Sequence, residues 1–257
     1  MLVLLSCAKT MSAVSKVKVP LTTNPRFQKE AAEIALQMSQ FSVDELERLL
    51  RVNAKIAVEN YKRYQAFHAE TTPELPALLA YTGIVFKRLN PKDFSAEDFG
   101  YAQEHLRLTS FCYGLLRPLD VIRAYRLEGD VVLPELGNQT LFSYWRSRLT
   151  DTFIEDIRSA GGILCNLASD EMKSLFDWKR VESEVRVVTP EFHVWKNGKL
   201  ATIVVYTKMS RGEMTRFILK NKIGNPEELK GFSWEGFEFD ESLSDERKLV
   251  FINGMGE

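Results

Sequence analysis

Hydrophobic spacing in the first part of the chain predicts one strand followed by helices. The apolar run Leu2–Leu5 has the length of a buried strand. Residues 25–40 carry hydrophobic side chains at helical intervals. Ser42 and Glu45 form the pattern of a capping box, which predicts a helix that continues to about Phe67.

The pattern then predicts two more helices and a second buried strand. Ser95 precedes a helix that runs into the segment beginning at His105. Residues 138–160 form a further helix, which ends at two consecutive glycines because glycine tolerates the left-handed conformation of a helix end. The apolar residues 163–167 then predict a strand that leads into a polar loop.

Strand patterns dominate the second half. The Asn197-Gly198 pair, between alternating hydrophobic residues, predicts a β-hairpin over residues 192–205. Further strands are predicted at residues 185–189, 237–239 and 249–252, and a basic loop and amphipathic helix at residues 207–222. Because no Ser- or Gly-rich linker divides the 257 residues, we expect one mixed α/β (α+β) domain over residues 1–257.

The segment of residues 105–128 combines burial with an excess of arginine. Gly114 and the Arg117-Pro118 pair predict a tight turn between two short helices. A buried guanidinium is costly unless it meets a carboxylate, a phosphate or water, so the segment is a candidate site. Its arginines are Arg107, Arg117, Arg123 and Arg126, and its acids are Asp120 and Glu128.

The overall charge gives no general attraction to nucleic acid, since the net charge is −1 and the pI is about 6.4. Charge is nevertheless segregated along the chain. Residues 208–222 contain five bases and one acid, and residues 235–246 contain six acids and no base. Each stretch fits a solvated face or a binding surface.

The cysteines and the N-terminus indicate a reducing compartment. Cys7, Cys112 and Cys165 are far apart and lie in apolar surroundings, as reduced core thiols do. The first seven residues superficially resemble a lipoprotein cleavage site, but they lack a basic segment and their apolar run is very short. No stretch approaches the roughly 20 apolar residues of a membrane span, so we expect a cytoplasmic protein.

Metal and cofactor motifs are not legible in the chain. His68, His105 and His193 have no cysteine or carboxylate at ligand spacing, although residues distant in the chain could still converge. Neither a phosphate-binding loop nor a dinucleotide motif is present. We therefore expect no metal site and no cofactor.

Two short patterns carry candidate chemistry. Asp170 and Glu171 follow the predicted strand at residues 163–167 and suit acid/base work, although Ser169 or Asp170 could equally cap a helix. Lys9, after the first strand, could pair with one of these acids if the two strands are neighbours, or could contact phosphate.

A second candidate site lies in the basic stretch near the C-terminus. Arg211 and Arg216 flank the predicted start of a helix, with Lys208 just before them. Guanidinium groups at a helix N-terminus form a sensible anion site. The same pattern also fits a solvated basic face.

Taken together, these segments resemble the YaaA family of bacterial peroxide-stress proteins. The likeness extends over the whole chain and is most specific in its central 24 residues. Its motifs are Ser6-x-Ala8-Lys9-Thr10, His105-Leu-Arg107, Tyr113-Gly-x-Leu-Arg117-Pro-Leu-Asp120, Tyr125-Arg126-Leu-Glu128, Asn166-Leu-Ala-Ser-Asp-Glu171, Arg211-Gly-x-Met-x-Arg216-Phe217 and the run from Phe237 to Asp240.

The resemblance implies a cytoplasmic protein that limits iron-dependent oxidative damage during hydrogen peroxide stress. It also implies DNA binding through a positively charged cleft and a helix-hairpin-helix-like element, which would lie at residues 96–125 with its turn at residues 113–118. Such turns usually carry Gly-x-Gly, whereas this chain has Gly114-Leu115-Leu116. The arginines would then carry more of the phosphate contact. Cys7 stands where the family usually has proline.

These observations support three hypotheses. In the first, a basic cleft binds duplex or distorted DNA without sequence specificity, with an aromatic side chain stacking on unpaired bases. In the second, the protein is an enzyme that acts on a nucleotide or nucleobase, with Lys9, Asp170 and Glu171 as acid/base groups. In the third, acidic residues sequester iron directly, which the scarcity of His and Cys disfavours. The DNA contacts of the first hypothesis are Lys9, Arg107, Tyr113, Arg117, Arg126, Lys208, Arg211 and Arg216.

Overall fold

The computed structural model of the protein describes residues 1–196 and 198–254. Its strands are β1 (Leu2–Leu5), β2 (Glu74–Pro76), β3 (Leu106–Ser110), β4 (Gly114–Leu116), β5 (Val121–Arg123), β6 (Val132–Leu133), β7 (Gln139–Thr140), β8 (Ile163–Asn166), β9 (Arg186–Lys196), β10 (Lys199–Ala201), β11 (Phe237–Asp240) and β12 (Lys248–Asn253). Its α-helices are α1 (Gln28–Met38), α2 (Val43–Leu50), α3 (Ala54–Ala66), α4 (Ala77–Ala80), α5 (Ile84–Leu89), α6 (Ala96–His105), α7 (Leu141–Ser159), α8 (Asp170–Lys173), α9 (Trp178–Glu184) and α10 (Val204–Asn221).

One mixed eight-stranded sheet organises these elements, in the order β11-β12-β9-β8-β1-β3-β4 with β10 beside β9. The predicted strands Leu2–Leu5 and Ile163–Asn166 are confirmed as β1 and β8, and they are parallel neighbours. β3 lies parallel to β1 on its other side, while β4, β10 and β11 pair antiparallel with their neighbours. The predicted α/β class is therefore confirmed.

The order of the strands creates a switch point beside β1, where the connections of the chain change direction. From β1 the chain passes to β3 on one side, and it later returns to β8 on the opposite side. The chain therefore continues from β1 and from β8 toward opposite sides of the sheet, which opens a crevice at the carboxyl ends of the two strands. In open α/β sheets such a switch point is the usual place for a ligand.

Capping residues account for the helices that begin as predicted. Ser42 and Ser95 each accept a hydrogen bond from the backbone three residues on, and each belongs to a complete capping box. The single helix predicted from Ser42 to about Phe67 is wrong, because Arg51 takes a left-handed conformation (φ 52°) and ends α2. Asn53 then caps α3, because its side-chain oxygen accepts a hydrogen bond from the backbone N–H of Ile56.

The helix-hairpin-helix-like element at residues 96–125 is not confirmed. α6 ends at His105, and the residues that follow form β3, β4 and β5 instead of a second helix. Gly114 begins β4 with φ 70°, and a Cβ there would lie 2.8 Å from the Trp145 ring. Short buried apolar runs do not distinguish a strand from a helix, and pairing with β1 selects the strand.

The hairpin around Asn197-Gly198 is confirmed, since β9 and β10 pair antiparallel, but its second strand ends at Ala201 and not at residue 205. The strand predicted at residues 185–189 is the first part of β9. Gly198 has φ 70°, and Asn197 itself lies outside the described residues. The basic stretch differs from its prediction, because α10 already begins at Val204. Lys208 and Arg211 therefore project from the body of a helix and not from a loop before it.

Helix α7 closes one side of the sheet with a buried face. Trp145 and Phe153 on this helix are fully buried, and the indole N–H of Trp145 donates to the carbonyl oxygen of Phe111 at 2.8 Å.

The predicted closing strands are confirmed as β11 and β12. Within the described residues, no helix combines the length and the hydrophobicity needed to cross a lipid bilayer.

Candidate functional site

A cavity of about 320 Å³ lies at the carboxyl ends of β1 and β8. Residues 5–10 and 167–172 contribute to its wall from the loops after these two strands. The start of α5, the segment 125–127 and two side chains of α10 complete it. We call it the β1–β8 cavity. It occupies the switch point of the sheet, where the strand order predicts a ligand site.

Hydrogen bonds hold the two loops of the cavity together. The backbone N–H of Ser169 donates to the hydroxyl of Ser6 at 2.9 Å, and the two serine hydroxyls lie 3.3 Å apart. The N–H of Leu167 donates to the carbonyl oxygen of Leu4 at 3.0 Å. The first motif of the chain and the Asn166–Glu171 motif thus form one structure, although about 160 residues separate them.

Lys9 and Arg126 enter the cavity wall through a shared carboxylate. The Lys9 Nζ lies 2.7 Å from one oxygen of Glu128, and the Arg126 Nη2 lies 3.4 Å from the other. The Glu128 side chain is only 7% exposed, whereas that of Lys9 is 60% exposed. Lys9 therefore pairs with Glu128. The pairing of Lys9 with Asp170 or Glu171 that its position after β1 suggests is not formed.

Helix α10 supplies the other two cations, Lys208 and Arg211. It packs closely on α5 at Gly212, where a Cβ would lie 2.3 Å from the carbonyl oxygen of Val85. Only glycine permits this approach, so the glycine of the Arg211-Gly212 motif sets the distance between the helix and the cavity.

Arg211 is a partly buried cation that forms no ion pair within the described residues. Its guanidinium makes no ion pair or hydrogen bond with any other residue in the described ranges 1–196 and 198–254. Burial lowers the pKa of Arg211, and the charge of nearby Asp170 opposes this only in part. The Nε atoms of Arg211 and Arg126 are both buried without a hydrogen-bond partner in the part of the chain that is described. Both Nε–H groups need an acceptor that the described residues do not supply.

The two adjacent acids point in different directions, as expected for neighbours on a helix. Glu171 lines the β1–β8 cavity, but Asp170 does not. The Asp170 carboxylate is 93% exposed and lies 2.7 Å from Lys173. This hydrogen bond is the main cause that lowers the pKa of Asp170.

Tyr125 and Cys7 form an uncharged part of the wall. The hydroxyl of Tyr125 lies 2.7 Å from that of Tyr81 and 2.6 Å from that of Ser110. Burial raises the pKa of Tyr125 well above its ordinary value, so it stays neutral. Burial also raises the pKa of the Cys7 thiol to about 12, so this thiol is not activated by Lys9 nearby.

Arg107 and Arg117 form ion pairs within the protein, away from the cavity. The Nε of Arg107 lies 2.6 Å from Asp156, and its side chain is buried. Arg117 lies 2.8 Å from the fully buried Asp120 and also donates to the carbonyl oxygen of Asn24 at 3.0 Å. Each of these guanidinium groups already has its carboxylate.

Tyr113 and Arg216 also lie outside the cavity. Tyr113 is buried, and its hydroxyl accepts the N–H of Arg123 at 3.0 Å, so its ring is not available for stacking on a base. Arg216 makes two hydrogen bonds to Asp93, at 2.8 and 2.6 Å. Of the eight predicted DNA contacts, the cavity therefore brings together Lys9, Arg126, Lys208 and Arg211.

Metal ligands are not clustered in the described residues, where no group of three or more His, Cys, Asp or Glu side chains could hold an ion. The three cysteines are free, with Cys112 and Cys165 buried as predicted.

Comparison with known proteins agrees with the motifs that form the cavity. A family model described as peroxide stress protein YaaA matches residues 1–243. The chain belongs to this family. A UPF0246 protein of Bacteroides thetaiotaomicron is 99% identical over 257 residues, with both chains fully covered. A UPF0246 protein of Crocosphaera subtropica is 38% identical over 98% of this chain and 100% of its own.

Sequence reasoning missed the roles of Ser6 and Tyr125 in the cavity wall and of Glu128 as the partner of Lys9 and Arg126. All three lie in the motifs that carry the resemblance to the YaaA family, so the motifs were the available signal. Their convergence was not legible, because it depends on β1 and β8 being neighbours and on the segment after β5 reaching the same edge.

Proposed function

We propose that this protein acts in the response to hydrogen peroxide by binding DNA at the mouth of the β1–β8 cavity. The observation that carries the proposal is Arg211, whose partly buried guanidinium has no hydrogen bond or ion pair among the described residues and lies beside three further cations of the same cavity. Phosphate is one of the anions that arginine and lysine recognise through charge-assisted hydrogen bonds. A DNA partner places this activity in the bacterial cytoplasm.

The size of the cavity limits how DNA could bind. About 320 Å³ accommodates one nucleotide but not a duplex. The sugar-phosphate backbone would therefore lie across the mouth, and an unpaired nucleotide would enter the cavity. Contacts of this kind select distorted DNA and not a base sequence.

The test is fluorescence anisotropy of labelled duplex, bubble and single-stranded DNA with the wild-type protein and the Arg211→Glu variant. We expect bubble and single-stranded DNA to bind more tightly than duplex, and the variant to lose this binding while its melting temperature stays close to that of the wild type. Equal affinity of the two proteins for every DNA would remove Arg211 from the site and contradict the proposal.

We extend the proposal to iron-dependent damage. Ferrous iron is held near DNA by the phosphates, and a protein that neutralises these phosphates displaces the cations bound there. Plasmid nicking by ferrous iron and hydrogen peroxide should decrease when wild-type protein is added. The Arg211→Glu variant should protect less, and equal protection by both proteins would contradict this extension.

A second candidate function is an enzyme that acts on a nucleotide or nucleobase. It is favoured by the concave form of the site and by Glu171 and Lys9, which bring an acid and a base to one cavity. Asp170 is not part of this candidate active site, because its side chain lies outside the cavity. A Glu171→Gln variant that binds DNA normally but fails to protect cells from peroxide would favour catalysis over binding.

A further inference from the structure

The charged groups of the β1–β8 cavity leave it with a net charge of +2. Its wall carries the cations Lys9, Arg126, Lys208 and Arg211 and the acid Glu171, and Glu128 pairs with two of these cations. Asp170 also acts on Arg211, but its carboxylate is exposed to solvent outside the lining. The Cys7 thiol and the Tyr125 hydroxyl add nothing, because burial raises the pKa of each and keeps it neutral. A singly charged anion would leave one positive charge unbalanced, and a doubly charged anion would neutralise the cavity.

The unpaired polar atoms of the cavity wall are mainly hydrogen-bond donors. The Nε–H groups of Arg126 and Arg211 have no acceptor in the described structure. The hydroxyls of Ser6 and Ser169 share one contact, so one O–H proton of this pair is also left without an acceptor among the described residues. A ligand that fits these groups presents several acceptors and no donor.

We propose that the β1–β8 cavity binds a phosphate monoester, with Arg211 and Arg126 as its principal contacts. A monoester carries a charge of about −1.5 to −2 at pH 7 and three strong acceptor oxygens. A phosphodiester within a strand carries one negative charge and two such oxygens. Both the charge of the cavity and its excess of donors therefore favour the monoester.

This inference rests on the proposed binding of nucleic acid and specifies which part of it enters the cavity. A monoester could come from the 5′ end of a DNA strand or from a free nucleoside monophosphate. The two sources present the same phosphate group, and they differ in whether the sugar that carries it continues into a strand.

The experiment compares two 3′-labelled single-stranded oligonucleotides of one sequence, with a 5′-phosphate or a 5′-hydroxyl, by anisotropy. Calorimetry with a deoxynucleoside 5′-monophosphate accompanies it. For the wild-type protein we expect the 5′-phosphate to increase affinity at least about tenfold, and the Arg211→Gln variant to lose this difference. Arg211→Lys should restore part of the preference for the 5′-phosphate. If Arg211→Gln does not fold, Lys208→Gln replaces it in the same comparison, because Lys208 also lines the cavity and its side chain is exposed.

The outcomes separate this inference from the proposed function. A preference for the 5′-phosphate that depends on Arg211 supports both. Binding of the free monophosphate without binding of either oligonucleotide supports the monoester site and contradicts DNA as the partner. Equal affinity for the two oligonucleotides, with no binding of the monophosphate, overturns the monoester inference and leaves DNA binding intact. Absence of binding to all three ligands overturns both.

Discussion

At the residue scale, the partner of each arginine decides its role. Arg107, Arg117 and Arg216 each have a carboxylate within hydrogen-bond distance, so their charges are used within the fold. Arg211 has none among the described residues and lines a cavity. The same residue type therefore stabilises the structure at three positions and is available to a ligand at one.

The acid at the mouth of the cavity should weaken anion binding. We expect Glu171→Gln to tighten the binding of a phosphate monoester roughly threefold at low salt, because the change removes a repulsive charge. The gain should shrink as salt is added. Titration calorimetry at two salt concentrations measures it.

Glu155→Gln is the matched control for this prediction, since it makes the same change at an exposed position of α7 outside the cavity. Its effect on phosphate binding should be clearly smaller. An equal gain from both variants would mean that the net charge of the protein matters and that Glu171 does not act at the cavity.

The buried Asp156 should make stability depend on pH. Burial acts to raise the pKa of this carboxyl, but hydrogen bonds from Arg107 and Arg26 outweigh it and lower the pKa below its ordinary value. The ion pairs thus stabilise the fold above the unfolded-state pKa of about 3.9, and this stabilisation is lost as the pH falls through the lower folded-state pKa. Asp156→Asn should reduce the free energy of unfolding at pH 7 by about 2–4 kcal/mol.

Urea denaturation at several pH values measures both effects. The difference in unfolding free energy between wild type and Asp156→Asn should be constant near neutral pH and should narrow below about pH 4. Parallel curves down to pH 2 would show that Asp156 does not titrate in this range.

At the element scale, the packing of α10 on α5 positions the cations of the cavity. Gly212→Ala should lower the free energy of unfolding by about 1–3 kcal/mol, because the new Cβ would lie 2.3 Å from the carbonyl oxygen of Val85. The shift of α10 should also weaken phosphate binding, since Arg211 precedes this contact. Denaturation and calorimetry on the same protein test both.

Gly100→Ala provides the control for this prediction. Gly100 lies inside α6, and a Cβ there would meet nothing within 4 Å. This change should stabilise the protein by about 0.5–1 kcal/mol, because alanine favours a helix interior. Similar losses in both variants would contradict the assigned role of the α5–α10 contact.

The elements also show which parts of the fold the sequence predicts. Strand β1 and the capping boxes at Ser42 and Ser95 were predictable, because each depends on a few adjacent residues. The pattern after His105 predicts two short helices and a turn, but these residues form strands, because their conformation depends on pairing with β1. The partner of Arg107 is Asp156 on α7, and no local pattern indicates a contact of this kind.

At the scale of the whole molecule, a net charge of −1 means that any attraction to DNA must be local. Binding should therefore depend on the few cations of the β1–β8 cavity and on salt, with a log–log slope of about −0.9 for each phosphate neutralised. Arg211→Gln should reduce the magnitude of the slope by about 0.9, because one contact is lost.

Arg216→Gln tests whether the attraction is local. This variant removes the same charge from the same helix, but Arg216 is bound to Asp93 outside the cavity. It should lower the melting temperature and leave both the affinity for single-stranded DNA and the salt slope unchanged. Anisotropy at four salt concentrations separates the two arginines. Equal reductions in slope would mean that DNA contacts the length of α10, and the site would then be a broad basic face instead of a cavity mouth.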